Sequence, residues 1–237
     1  MNQKPIYILF WAISLFAASL HAQTDSLNLD AKILVEEIQD TVAVQKVKKG
    51  KGNLFVSVDL VAPVMGFFND KKGFQAGISY KIYKKWNLAA EVGFEKNHYD
   101  ELDWNIDVEG IVFKLGFNWF ITQDYENSSN GFYTGLRFAY TVYDQKIHQY
   151  PIRMSNNQVG EVGSFPTEKV SSYWIEIVAG GRIQLFKNLY ADVSLRPEIY
   201  LGSKKQEGIK PLVIPAYGKD IGPINFTASW GLTYKIF

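Results

Sequence analysis

Chemistry in this chain would have to come from a few side chains, and their spacing is unhelpful to catalysis. The three histidines are His21, His98 and His148. His98 and His148 stand fifty residues apart, in outer regions away from the strands described below, with no neighbour placed to orient either ring as a base. They read as solvated loop residues, not as the base of a hydrolase or acyltransferase. Glu91 and Glu95 share one face of a strand, but four strand positions separate them by about 13 Å. A retaining carboxylate pair needs about 5 Å. Gly218 and Gly222 flank Lys219, Asp220 and Ile221 without the spacing of a phosphate loop. Asn127, Ser128 and Ser129 match a glycosylation sequon by pattern alone. With no cysteine, a thiol nucleophile, a thiolate metal site, a disulfide scaffold and thiol lipidation are all excluded. The expectation is no enzyme, no cofactor and no metal.

The elements that hold these residues begin with an address. In a chain of 237 residues, Ile6 to Leu20 is an uncharged, mostly apolar run behind Lys4, and Leu20, His21 and Ala22 end on a small residue. This is the order of a secretory signal peptide over residues 1–22, cut near Ala22. Fifteen apolar residues fall short of the roughly 20 that a spanning helix needs. Residues 23–52 form a polar tail, acidic at first (Asp25, Asp30, Glu36, Glu37, Asp40) and then basic (Lys46, Lys48, Lys49, Lys51), too short for a core of its own. A formal net charge of +1 excludes a general nucleic-acid binder.

From Asn53 to Phe237 the hydrophobic period becomes two, the strand signal. It is clearest at the end, where Ile224, Phe226, Ala228, Trp230, Leu232, Tyr234 and Ile236 alternate with Asn225, Thr227, Ser229, Gly231, Thr233 and Lys235. The same alternation runs through residues 54–64, 74–82, 86–94, 111–121, 132–142, 173–185 and 189–201. Eight alternating strands predict an all-β fold, an eight-stranded antiparallel up-and-down barrel over residues 53–237.

Which face is outside follows from volume. Roughly forty to fifty apolar side chains cannot fit inside eight strands, whose interior holds a few layers of side chains. The other parity carries glycine (Gly77, Gly93, Gly116, Gly135, Gly180, Gly231), which leaves room for long neighbours. It also carries Asp59, Glu91, Glu95, Glu176, Asp192 and Glu198 against Lys81, Lys114, Arg137, Arg182 and Arg196, six acids to five bases. That balance suits a buried ion-pair network in the lumen, since an unpaired buried charge is strongly unfavourable. Apolar-out and polar-in is the pattern of a transmembrane barrel. Tight turns at Lys84-Lys85 and Lys187-Asn188 read as periplasmic, and the long connections over residues 145–169 and 202–223 as external loops. The short first connection, residues 69–72, fits that scheme least. Trp86, Trp119, Tyr80, Tyr140, Tyr173 and Tyr234 near strand ends are candidates for interface girdles.

A signal peptide ending at Ala-Gln, eight strands and the terminal segment Thr233-Tyr234-Lys235-Ile236-Phe237 together resemble the small outer-membrane β-barrel proteins of Bacteroidota, a family of unknown function. The resemblance implies residence in the bacterial outer membrane, contact with outer-membrane lipid, and recognition of Tyr234, Ile236 and Phe237 by the barrel-insertion machinery. Phe237 departs from the pattern, standing off the parity of Tyr234 and Ile236. The expected role is non-enzymatic, structural or interactive through the external loops, with a partner the sequence does not name. A narrow pore, a lipid-modifying barrel enzyme and a soluble periplasmic lipid carrier are the alternatives.

Overall fold

The protein is described by a computed structural model over residues 52–67, 71–101, 103–122, 129–153, 159–219 and 222–237. The signal segment, the tail up to Lys51, the Asn127-Ser128 part of the sequon and Asp220-Ile221 lie outside the described residues. In chain order the elements are β1 (Leu54–Asp59), α1 (Val61–Met65), β2 (Lys72–Tyr83), β3 (Trp86–Glu101), β4 (Trp104–Phe120), β5 (Gly131–Arg153), β6 (Val159–Phe186), β7 (Leu189–Ser203), the short pair β8 (Val213–Ile214) and β9 (Gly218–Lys219), and β10 (Ile224–Lys235).

Eight of these strands close into a barrel in the order β1-β10-β7-β6-β5-β4-β3-β2, each antiparallel to its neighbours. This is the all-β up-and-down ring that the alternation predicts. The seam is β1 against β10, from Phe55↔Lys235 to Asp59↔Gly231. Ile236 N–H donates to the Leu54 carbonyl at 2.8 Å and Leu54 N–H to the Phe237 carbonyl at 3.2 Å, so pairing runs to the last residue.

Several boundaries differ from the sequence expectation, with β3 ending at Glu101 rather than Phe94 and β4 beginning at Trp104 rather than Ile111. The first strand stops at Asp59 rather than Val64, because the Asp59 carboxylate accepts the Val61 N–H at 2.7 Å and the chain turns into α1. The residues read as a long external loop, 145–169, are largely strand: β5 runs for 23 residues and β6 for 28. A tilted membrane strand needs about 9–11 residues. β3 to β6, at 16 to 28 residues, outrun the 6 to 15 of the other ring strands and form a tall wall on one side of the barrel.

Along these strands the chemistry of the two faces exchanges. In the belt the outward side chains are Phe113, Leu115 and Phe117 on β4 and Leu136, Phe138 and Tyr140 on β5, all well exposed. In the wall the outward positions are Lys96, His98, Asp107, Glu109, Asp144, Lys146 and His148. The inward positions there are Ile106, Val108, Tyr143, Ile147, Val170 and Trp174, all buried. Despite register shifts in β4–β5 and β5–β6, the composition of the two faces inverts between the apolar belt and the wall.

Candidate functional site

The barrel interior is filled in successive layers, and the strand register sets each one. At the end carrying the Lys84-Lys85 and Lys187-Asn188 turns, Arg182 lies over the rings of Phe55 and Phe120, 4.8 and 5.7 Å from their centroids. Its Nε donates to Asp192 at 2.7 Å, and the Tyr133 hydroxyl donates to the other Asp192 oxygen at 2.5 Å. Gly180 makes this possible, since a Cβ there would meet the Tyr133 ring at 2.5 Å.

The next layer is ionic. Arg137 and Arg196 share Glu91, Arg137 Nε reaching one oxygen at 3.1 Å and Arg196 Nη1 the other at 2.7 Å. Arg196 extends 3.5 Å to Glu176, which pairs with Lys114 at 2.6 Å and accepts the Trp174 indole N–H at 3.0 Å. Gln75 donates to Glu91, and Asn118 and the Phe117 carbonyl accept from Arg137. Charges this deep are tolerable only when paired and hydrogen-bonded. Glu198 stands beside Glu176 in the register and accepts the Thr227 hydroxyl at 2.8 Å. A cavity of about 50 Å³ remains beside this layer, lined in part by Arg137, Arg182 and Arg196. That is room for a few waters, each needing roughly 10–15 Å³.

Above the ions sits a plug that sequence reasoning took for an external loop. Residues 204–219 turn back into the mouth, burying Val213, Ile214 and Tyr217 against Trp174, Tyr143, Ile106 and Val108. Tyr217 meets Trp174 edge-on at 5.5 Å. Polar contacts also hold the plug. Ala216 N–H donates to Glu95 at 3.0 Å, Gln206 bridges the Gln145 amide and the Pro166 carbonyl, and Lys219 reaches Glu101 at 2.9 Å while lying over Tyr99.

Of the eleven charged residues assigned to the lumen, Glu91, Lys114, Arg137, Glu176 and Arg196 meet in one cluster, and Arg182 with Asp192 in another. Glu95 pairs with Lys71 at 3.1 Å and latches the plug. Asp59 takes the Val61 N–H and the Ser229 hydroxyl. Lys81 is four positions along β2 from Gly77, the residue opposite Glu91, toward the Lys84-Lys85 turn. Tyr234, Ile236 and Phe237 are half exposed at the barrel seam. Tyr133 and Trp174 were missed although both stand on the inward parity, beside Gly135 and Arg137 and beside Glu176; that parity was the available signal.

The histidines are also placed differently. His98 lies on β3 and His148 on β5, within the wall and not in loops. Between them on β4 is Asp107: His98 Nδ1 stands 2.6 Å from one carboxylate oxygen and His148 Nε2 2.7 Å from the other. Partial burial works to raise the Asp107 carboxyl, but the hydrogen bonds and charge of the two rings outweigh it and hold the group below the usual carboxylate range. Among the described residues no cluster of three such side chains is arranged to hold a metal ion.

Fold and interior together define a class: a closed eight-stranded antiparallel barrel with a filled lumen, an outward apolar belt and a one-sided external wall. The chain belongs to the family described as Domain of unknown function (DUF6048), which matches residues 4–237. Among solved structures it is similar to the N-terminal β-barrel domain of Pseudomonas aeruginosa OprF, at 13% identity and TM-score 0.36, covering 78% of this chain and 98% of that one. It is also similar to Neisserial surface protein A, at 9% identity and TM-score 0.36, covering 78% and 95%. No curated protein matches the chain.

Proposed function

We propose that the protein is a closed, non-enzymatic barrel of the bacterial outer membrane that exports no solute and acts through its external wall, as an envelope scaffold or an interaction platform. The observation that carries this reading is the stack of aromatic, ionic and apolar layers inside a ring whose outer belt is apolar. An eight-stranded interior is just wide enough for side chains to fill it, and here they do. The belt supports lipid as the surrounding medium: Leu115, Ile183 and Leu195 are each 59–63% exposed, a wasteful arrangement in water. No helix among the described residues is long and apolar enough to cross a membrane, so strands would do the crossing. Tyr234, Ile236 and Phe237 are proposed as the segment read by the insertion machinery.

The test has two arms. Membrane fractionation followed by electrophoresis of unheated and boiled samples should give an outer-membrane band whose mobility changes on boiling. The purified barrel in planar bilayers should give no stable open events. Recovery in the soluble periplasm, or reproducible unit conductance, would overturn the reading.

A further inference from the structure

Outside the filled interior, the wall carries one cluster that the scaffold reading does not use. His98, Asp107 and His148 come from three adjacent strands, β3, β4 and β5, and meet on the outward face above the apolar belt. His98 is directly opposite Asp107 in the β3–β4 register; His148 is its diagonal neighbour across β4–β5. Each ring addresses a different oxygen of the same carboxylate, so the three side chains form a bridge perpendicular to the strands. We propose that this bridge is a proton-controlled clasp that ties the outer wall together more firmly in mildly acidic surroundings than in alkaline ones.

The argument is geometric and chemical. Imidazole is the side chain whose charge changes between about pH 5 and 8. Each ring must present an N–H to Asp107, and it can do so neutral or charged. Protonation adds the attraction of opposite charges to a hydrogen bond already made to an ionised carboxylate. Because one carboxylate serves both rings, two protons tighten three strands at once. The groups facing the cluster from its own strands are Lys96 and Asp100 on β3, Glu109 on β4, and Asp144 and Lys146 on β5. Lys96 is engaged by Glu109 at 2.9 Å. On the flanking strands Lys72 of β2 stands opposite Lys96 and Lys169 of β6 opposite Asp144, so four lysines and four carboxylates, Asp107 included, balance around the cluster. The side chains are 37–46% exposed, so protons reach them from the external medium and not through the barrel.

An exposed ion pair contributes little, and the expected effect is correspondingly small, up to about five-fold in local opening. The experiment is amide hydrogen exchange on the full barrel in detergent, reading residues 97–101, 104–109 and 143–149. Wild type is compared with Asp107→Asn and with the double variant His98→Gln, His148→Gln at about pH 5.5 and again at about pH 8. Comparison at fixed pH cancels the intrinsic pH dependence of exchange. At the lower pH both variants should exchange faster in these segments than wild type, and at the higher pH the difference should shrink or vanish. Glu109→Gln, which breaks the neighbouring Lys96 pair, is the control and should change exchange equally at both pH values. Equal differences at the two pH values, or no difference at either, would overturn the clasp. Intact barrels are verified in each case by their heat-dependent mobility, so a folding failure is recognised separately. A barrel that fails fractionation but shows the pH-dependent difference keeps the clasp and loses the outer-membrane reading.

Discussion

At the scale of single residues, the ionic layer sets the largest expected effects. Glu91 serves two arginines, and Arg196 two carboxylates, in the middle of the ring. Removing one member by Glu91→Gln or Arg196→Met leaves an unpaired buried charge and should destabilise the barrel by about 3–5 kcal/mol, measured by urea unfolding in detergent. Replacing Lys114 and Glu176 together by Met and Leu should cost much less than either single change, because the pair is removed whole. Gly116 predicts a different failure. A Cβ there would lie 1.8 Å from the Leu136 carbonyl oxygen, so Gly116→Ala must push β4 and β5 apart and should lower the unfolding midpoint although no contact is deleted. Acid has its own signature at Asp107. A carboxyl held below its unfolded value contributes stability that is present above that value, about 3.9, and is lost as pH falls through the folded one. Protection of the outer wall should therefore fall as pH drops from about 5 to about 3 in wild type and stay flat in Asp107→Asn, read by amide exchange.

At the scale of elements, the plug hairpin β8–β9 is the part most worth removing. Replacing residues 204–219 by a short Gly-Ser linker should leave the ionic layer and the Arg182 layer in place. The inner face of the wall would then meet water, and Trp174 emission should shift to longer wavelength as Tyr217 leaves its ring. An unchanged spectrum would mean the hairpin does not fill the mouth in solution. The same region shows where sequence reasoning stopped. The eight belt strands are readable because outward and lumen-facing positions differ sharply, as Phe113, Leu115 and Phe117 against Lys114 and Gly116 show. Above the belt the contrast reverses, with Asp107 and Glu109 outside and Ile106 and Val108 inside, so a search for apolar-out strands ended early. Two-residue strands leave no period at all, and the Val213-Ile214 pair was read as loop. Asp107 joining His98 to His148 depends on the register of three strands, which alternation within each strand does not contain. The charged lumen residues were visible by parity, but which of them meet was not; Glu95 and Asp59 went to the plug and to α1.

At the scale of the whole molecule, the ring is uneven in a way that bears on how it comes to exist. β5 and β6 pair from Gly131↔Arg182 to Arg153↔Val159, with a few register shifts. β1 and β10 share a five-residue register, and their partners stand at opposite ends of the chain. Neighbouring hairpins can zip locally, whereas this last joint must wait for ends far apart in sequence to find each other, the slow kind of contact. Strand length and separation in sequence thus predict an order of assembly in which a curled sheet rooted in β5–β6 forms first and the seam at Phe55 to Asp59 closes last. The seam should also be the first line to fray, so amides of Phe55 to Val58 should exchange faster than those of β5 at the same depth. A disulfide engineered between Val56 and Tyr234, which face each other across it, should slow unfolding of the formed ring and leave the early hairpins untouched. The barrel has a hem, and its lifetime is expected to be set there.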